Sequence, residues 1–255
     1  MEVWEGKGWC SQGVENLPQW APLWALSHGS DQPFPPSRNM NALTVSEPWH
    51  DVLDFWFPEG RAANVDADVH WRHWSWRMHG GADQAIIACF AELTALAARG
   101  ELDHGASGPE GRLALIIVLD QFSRSLWRGT PRAFAQDTAA LKLSMEGLTN
   151  GHYHALGPPW FRIAHTQPLG HCEGPDHLNR MDLLISLRTE VAAAAPDHLQ
   201  PIYRSLIRQA EDVRAVIASF GHHPHRNSII GRQSTPAEQA YIAEGKFPHT
   251  RAFQT

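Results

Sequence analysis

Asp120, Gln121, Arg124 and Arg128 stand in a run, residues 111–128, that is otherwise rich in Leu, Ile and Val. At about 100° per residue they fall at roughly 0°, 100°, 40° and 80° on a helical wheel, a single arc. Earlier turns of that arc carry Leu113 and Ile117, and the run is apolar all round there, the pattern of a buried helix. Polar groups on a buried stripe need partners, because an unpaired buried charge is costly. Two chemistries fit. Asp120 and Arg124 pair at i, i+4 and pin the neighbouring loops. Alternatively, Arg124, Arg128 and Arg132 form a pocket for a carboxylate or phosphate, whose oxygens match the guanidinium fork.

A second group is Phe220-Gly221-His222-His223-Pro224-His225-Arg226-Asn227, followed by Gly231-Arg232-Gln233-Ser234-Thr235-Pro236. It joins two helices, and such loops often carry binding residues. His225, Arg226, Asn227 and Arg232 are its candidate ligand-binding side chains, with Gln121 from the first group. The helix start at Ser234 adds backbone N–H groups suited to an anion. Against this, Asn227, Gly231 and Ser234 are also ordinary turn and cap residues. The His-His-x-His spacing matches no standard zinc pattern, so no metal site is expected.

His171-Cys172-Glu173 is a third group. His171 and Glu173 are candidates for proton transfer, with Asp120 as a third catalytic candidate. Cys172 reads as a small buried hydrophobe rather than a nucleophile. A fourth cluster, His70-Trp71-Arg72-His73-Trp74-Ser75-Trp76, has aromatics at helical spacing and reads as core with solvated charges between.

Helices must position these groups. Ser46-Glu47-Pro48 precedes Trp49, Val52, Leu53 and Trp56 at i, i+3, i+4, i+7. The same spacing recurs over 82–99, with Ile86, Ile87, Phe90, Leu93, Leu96 and Ala97 on one face and Gly100 as a stop. Pro109 opens a helix to Arg128, and Thr130-Pro131 opens another that ends near Gly151. Further helices are expected at 177–194, at 197–219 before Gly221, and from Ser234 to Gly245. No segment alternates with period two, so the fold class is all-α, with antiparallel helical hairpins joined by short loops.

The 255 residues carry a net charge of −6, with 43% hydrophobic and 19% charged residues. That excludes a disordered chain and the basic footprint of a nucleic-acid binder. No apolar run is long enough to span a bilayer, so no membrane association is expected. Three scattered cysteines, Cys10, Cys89 and Cys172, make no disulfide framework, and with no secretory leader the expected location is cytoplasmic. The domain reading is a flexible N-terminal extension over 1–45, one helical domain over 46–247 and a tail over 248–255. Met40 is a candidate alternative start.

The chain resembles the bacterial domain-of-unknown-function family 924. The resemblance rests on Leu119-Asp120-Gln121-Phe122, Arg124 and Arg128-Gly129-Thr130-Pro131-Arg132-Ala133-Phe134-Ala135 with Asp137. It rests also on Pro224-His225-Arg226-Asn227, Gly231-Arg232, Ser234-Thr235-Pro236, and the opening Val52-Leu53-Asp54-Phe55-Trp56-Phe57. These span about residues 48–247. The resemblance implies a tetratricopeptide-like helical fold and no established reaction. The chain departs from the pattern the resemblance implies at Cys172, where serine is usual, at His177-Leu178-Asn179, where Asp-Gln-Glu is usual, and at Ser123 and Ser125, where a proline and an asparagine are usual. The leading expectation is a cationic cleft for a small anionic metabolite, with Arg124, Arg128, Arg226 and Arg232 holding the anion. His171 and Glu173 would move protons, and no cofactor is expected. The alternative is a tetratricopeptide-like module that binds a protein or peptide partner. A shared site requires the two arginine motifs to meet in space.

Overall fold

The structure, a computed structural model, describes residues 49–61 and 64–248; the extension expected over 1–45 and the Met40 start lie outside the described residues. Twelve α-helices account for the framework of the described residues: α1 Trp49–Trp56, α2 Ala67–Met78, α3 Asp83–Ala98, α4 Pro109–Ile117, α5 Ser123–Leu126 and α6 Asp137–Thr149, then α7 His152–Ala155, α8 Pro159–His171, α9 His177–Ala194, α10 Gln200–Phe220, α11 Asn227–Ile230 and α12 Pro236–Glu244. No strand occurs among them. The fold is all-α, and no single described helix is long and apolar enough to cross a membrane.

The apolar run at 111–119 determines the centre. Every residue from Gly111 to Leu119 is buried, and α4 packs against α1, α6 and α8. Close approach demands glycine here: a Cβ on Gly111 would come within 2.2 Å of the Gly105 carbonyl, and one on Gly105 within 2.0 Å of the Trp49 ring. Phe55, Phe90 and Phe122 meet with ring centroids 4.9–5.8 Å apart and join α1 and α3 to the end of this helix. A second apolar cluster, including Leu169, Met181, Leu184, Leu187, Ala210 and Ile217, binds α8, α9 and α10 as consecutive neighbours.

Helix ends expected from glycine and capping residues occur where the residue types require them. Gly221 closes α10 with φ 76° and Gly245 closes α12 with φ 64°, a conformation that costs other residues. Several regions differ from the sequence expectation. The helix expected from Pro109 to Arg128 is interrupted after Ile117 and ends at Leu126. The helix expected to start at Thr130-Pro131 is a 3₁₀ turn, Pro131–Phe134, and α6 begins only at Asp137. Ile87, expected on the buried face of α3, is exposed. The segment around Pro168, where the sequence spacing predicts no helix, is the last turn of α8. Proline removes one hydrogen bond there, yet Leu169 and Gly170 stay buried against α9, and packing outweighs the loss.

Candidate functional site

Between α4 and α5 the chain makes a π-helical turn, Val118–Phe122. A π turn holds an extra residue, so it re-aims side chains relative to a straight helix, and such bulges are frequent at functional sites. Asp120 and Gln121 sit in this turn. Asp120 is fully buried, and both its oxygens lie 2.8–2.9 Å from Nδ1 of His171, the last residue of α8. Arg124 pairs with Asp120 at 3.1 Å and donates to its backbone carbonyl, and the Gln121 amide donates to its carboxylate. Burial alone would raise the Asp120 pKa. Arg124 and His171 outweigh it and hold the carboxyl well below the usual range.

From Arg124 the charges continue in alternation. Arg124 Nη2 donates to Asp137 Oδ1 at 2.8 Å, and Asp137 Oδ2 accepts from Arg226 Nη1 at 3.1 Å. Both guanidinia lie over the Phe134 ring, at 5.7 and 4.5 Å from its centroid. The two arginine motifs therefore meet, with Asp137 as the link. The 222–232 loop is tied down separately. Glu173 pairs with Arg232 and accepts from the His223 amide at 3.0 Å, while Arg232 donates to Asn227 Oδ1 at 2.9 Å. His177 and His223 both point Nε2 at the Gly170 carbonyl, at 3.0 and 2.9 Å. As an acceptor with two lone pairs, that carbonyl fixes both rings with Nε2 protonated. Burial pushes His177 down to about 4 and, with Arg226 and His225 nearby, His223 well below its ordinary value.

A cavity of about 350 Å³ opens beside these groups, within the size range of small-molecule sites. Of the candidates named from sequence, Gln121, Arg124, Arg128, His171, His225 and Arg226 line it. Asp120 lies behind His171, and Asn227, Arg232 and Glu173 brace the loop rather than the wall. Arg128 is largely exposed at the rim, 2.5 Å from Asp83. Arg132 stacks on Trp127 at 4.3 Å and is outside the lining. Glu173 is not the partner of His171; Asp120 is. The N–H groups at the start of α12 are occupied by a capping box, in which Glu238 accepts from Thr235 N at 2.7 Å and Thr235 Oγ1 from Glu238 N at 3.3 Å. Cys172 is buried, and burial raises its thiol pKa, as a packing role requires.

Three lining features were missed from sequence. Arg77, in the His70–Trp76 neighbourhood, donates to Glu59 at 2.8 and 2.9 Å and to the Trp56 carbonyl at 2.8 Å. The buried Glu59 side chain also lies 3.0 Å from His70 and 3.4 Å from His73, and both histidines are buried rather than solvated. Burial works against the Glu59 charge, but Arg77 and the two histidines hold its pKa far below normal. Trp56 and Trp74 form an aromatic part of the wall. Arg188 and Gln167 complete it from α9 and α8, with Gln167 Oε1 accepting from Arg188 Nη2 at 3.1 Å. A basic residue set among Leu184, Leu187 and Val191 was the available signal for Arg188.

Compared with known proteins, the chain matches the model of the family described as "Bacterial protein of unknown function (DUF924)" over residues 52–246. The chain belongs to this family. It is also similar to the solved structure of a protein of unknown function from Agrobacterium tumefaciens, at 29% identity and a TM-score of 0.58. That match covers 77% of this chain and 97% of the other. No curated protein matches at a significant level.

Proposed function

We propose that the cavity binds a small organic anion and that the Asp120–His171 pair moves a proton on it. The observation that carries this reading is the placement of His171 in the cavity wall with Nδ1 on a buried, ionised carboxylate. An ionised Asp120 can only accept, so Nδ1 is the donor on that side and Nε2 is the ring nitrogen left to face a ligand. Among the described residues Nε2 has no hydrogen-bond partner and remains available to a ligand. This is the arrangement of a general base oriented by a carboxylate. Arg124 and Arg226 lie on the same wall and would stabilise negative charge on the reacting group.

The test is a panel of small carboxylates and phosphomonoesters, screened by thermal shift and then followed by proton NMR in D2O. Members that raise the melting temperature should be consumed or should exchange a proton for deuterium. His171→Asn should slow this by about 100-fold or more, while leaving the thermal shift in place. Equal rates in wild type and His171→Asn would remove the proton-transfer role. A panel without a single stabilising anion would remove the reading as a whole.

A further inference from the structure

Arg188 differs from every other arginine in the cavity wall. Arg77 has Glu59, Arg124 has Asp120 and Asp137, Arg226 has Asp137, and Arg128 has Asp83. Among the described residues no carboxylate lies within ion-pair distance of Arg188. Its residue exposure is 4%, Nη1 donates to the Leu206 carbonyl at 2.7 Å, Nη2 to Gln167 Oε1 at 3.1 Å, and Nε is buried with no acceptor. Burial lowers its pKa only to about 10, so it is charged at neutral pH. A buried cation held by neutral acceptors alone carries an uncompensated charge, and the compensation is expected from outside the chain.

The surroundings define what would bring it. On α9, Arg188 stands between Leu184 and Leu187 of one apolar cluster and Val191 of the other. Met181, Leu184, Ala210 and Val213 line the cavity on this side. The Gln167 amide nitrogen donates no hydrogen bond among the described residues and can add one donor beside the guanidinium. Resting on the proposed anion-binding role of the cavity, we infer that Arg188 anchors the acid group of a monoanion whose body is apolar. A planar carboxylate matches the guanidinium geometry. A compact polyanion such as inorganic phosphate would leave the apolar wall unfilled.

The probes are phenylacetate and isovalerate, their primary amides, inorganic phosphate and succinate, each titrated by calorimetry and thermal shift against the full chain. The monocarboxylates should bind at least about tenfold more tightly than their amides, the scale of a charged hydrogen-bonded contact. Arg188→Gln should erase that preference, and Arg188→Lys should restore part of it. Because the amide comparison is made on the wild-type protein, it stands even if a variant fails to fold. Amides that bind as well as the acids would overturn the inference, as would acids that bind wild type and Arg188→Gln alike. If phosphate or succinate binds through Arg124 and the monocarboxylates do not bind, the anion cavity stands and the Arg188 anchor falls. If no anion binds, both fall together.

Discussion

Asp137→Asn tests the alternating charge chain at the residue that links its two arginines. The two Asp137 oxygens serve different arginines, Arg124 at 2.8 Å and Arg226 at 3.1 Å. Arg124 keeps Asp120 when Asp137 is neutralised. Among the described residues Arg226 has no second ion pair, and its side chain is only 6% exposed. The substitution therefore strands one buried guanidinium and turns one acceptor into a donor that faces it. Removing one partner of a buried pair costs about 3–5 kcal/mol, and the lower end applies because Arg124 is still paired. For a domain of this size about 3 kcal/mol lowers the melting temperature by roughly 6–12 °C. Urea unfolding at pH 7 of Asp137→Asn, Arg226→Met and the double variant measures it. The double variant should be more stable than the sum of single losses predicts, by about 1.5 kcal/mol or more, because the stranded charge is gone. Additivity within about 0.5 kcal/mol would refute the chain.

Two further outcomes follow from burial and capping. His165 is fully buried, neither ring nitrogen has a hydrogen-bond partner among the described residues, and burial pushes its pKa from 6.5 down to about 3. The unfolded chain binds this proton near pH 6.5 and the folded chain does not. Stability from this group is therefore complete above pH 6.5 and is lost as pH falls toward 3, at about 1.4 kcal/mol per pH unit. His165→Leu should flatten the fall in stability between pH 6 and 4 by that slope, read from urea midpoints, and an unchanged slope would disprove the neutral buried state. Thr235→Ala removes one half of the capping box on α12 and should cost about 1 kcal/mol. Because α12 lies at the edge of the described fold, the loss should show as faster amide exchange over 236–244, and uniform exchange changes across the chain would contradict it.

The sequence carried much of this because some features are local. A polar stripe inside an apolar run implies burial whatever the fold, and in the stripe at 120–124 Asp120 is buried, Gln121 and Arg124 are half-buried, and all three are paired. Glycines at 221 and 245 mark helix ends because left-handed backbone excludes most other residues. The pairing partners were less legible. His171 meets Asp120 across 51 residues and Arg226 meets Asp137 across 89, and no periodicity encodes such separations. Glu59 was hidden for a different reason. It sits in a turn after α1, where a carboxylate ordinarily reads as solvated, yet Arg77, His70 and His73 from α2 enclose it. The π turn leaves no compositional trace, so a straight helical wheel placed Arg128 nearer to Asp120 than it is.

The departures from the family pattern can now be weighed by position. His177 is buried and spends Nε2 on the Gly170 carbonyl, where it steadies the backbone next to His171. Asn179 is exposed, and neither Leu178, Asn179 nor Cys172 lines the cavity. None of His177, Leu178 and Asn179 lines the cavity, so the departures implied there leave the Asp120–His171 pair, Arg124 and Arg226 in place. Ser125 is different: it does line the cavity, beside Arg124 and Arg128. Its hydroxymethyl group is smaller than the asparagine side chain that the family resemblance implies there and takes up less of the cavity. On the proposed reading, the side chain at 125 bears on the size of ligand the cavity accepts, while Asp120 and His171 stay in contact. Ser125→Asn measures the point directly. It should weaken the bulkier acid of a bound pair more than the smaller one, as read by calorimetry, and an equal loss for both would place the size limit elsewhere in the wall.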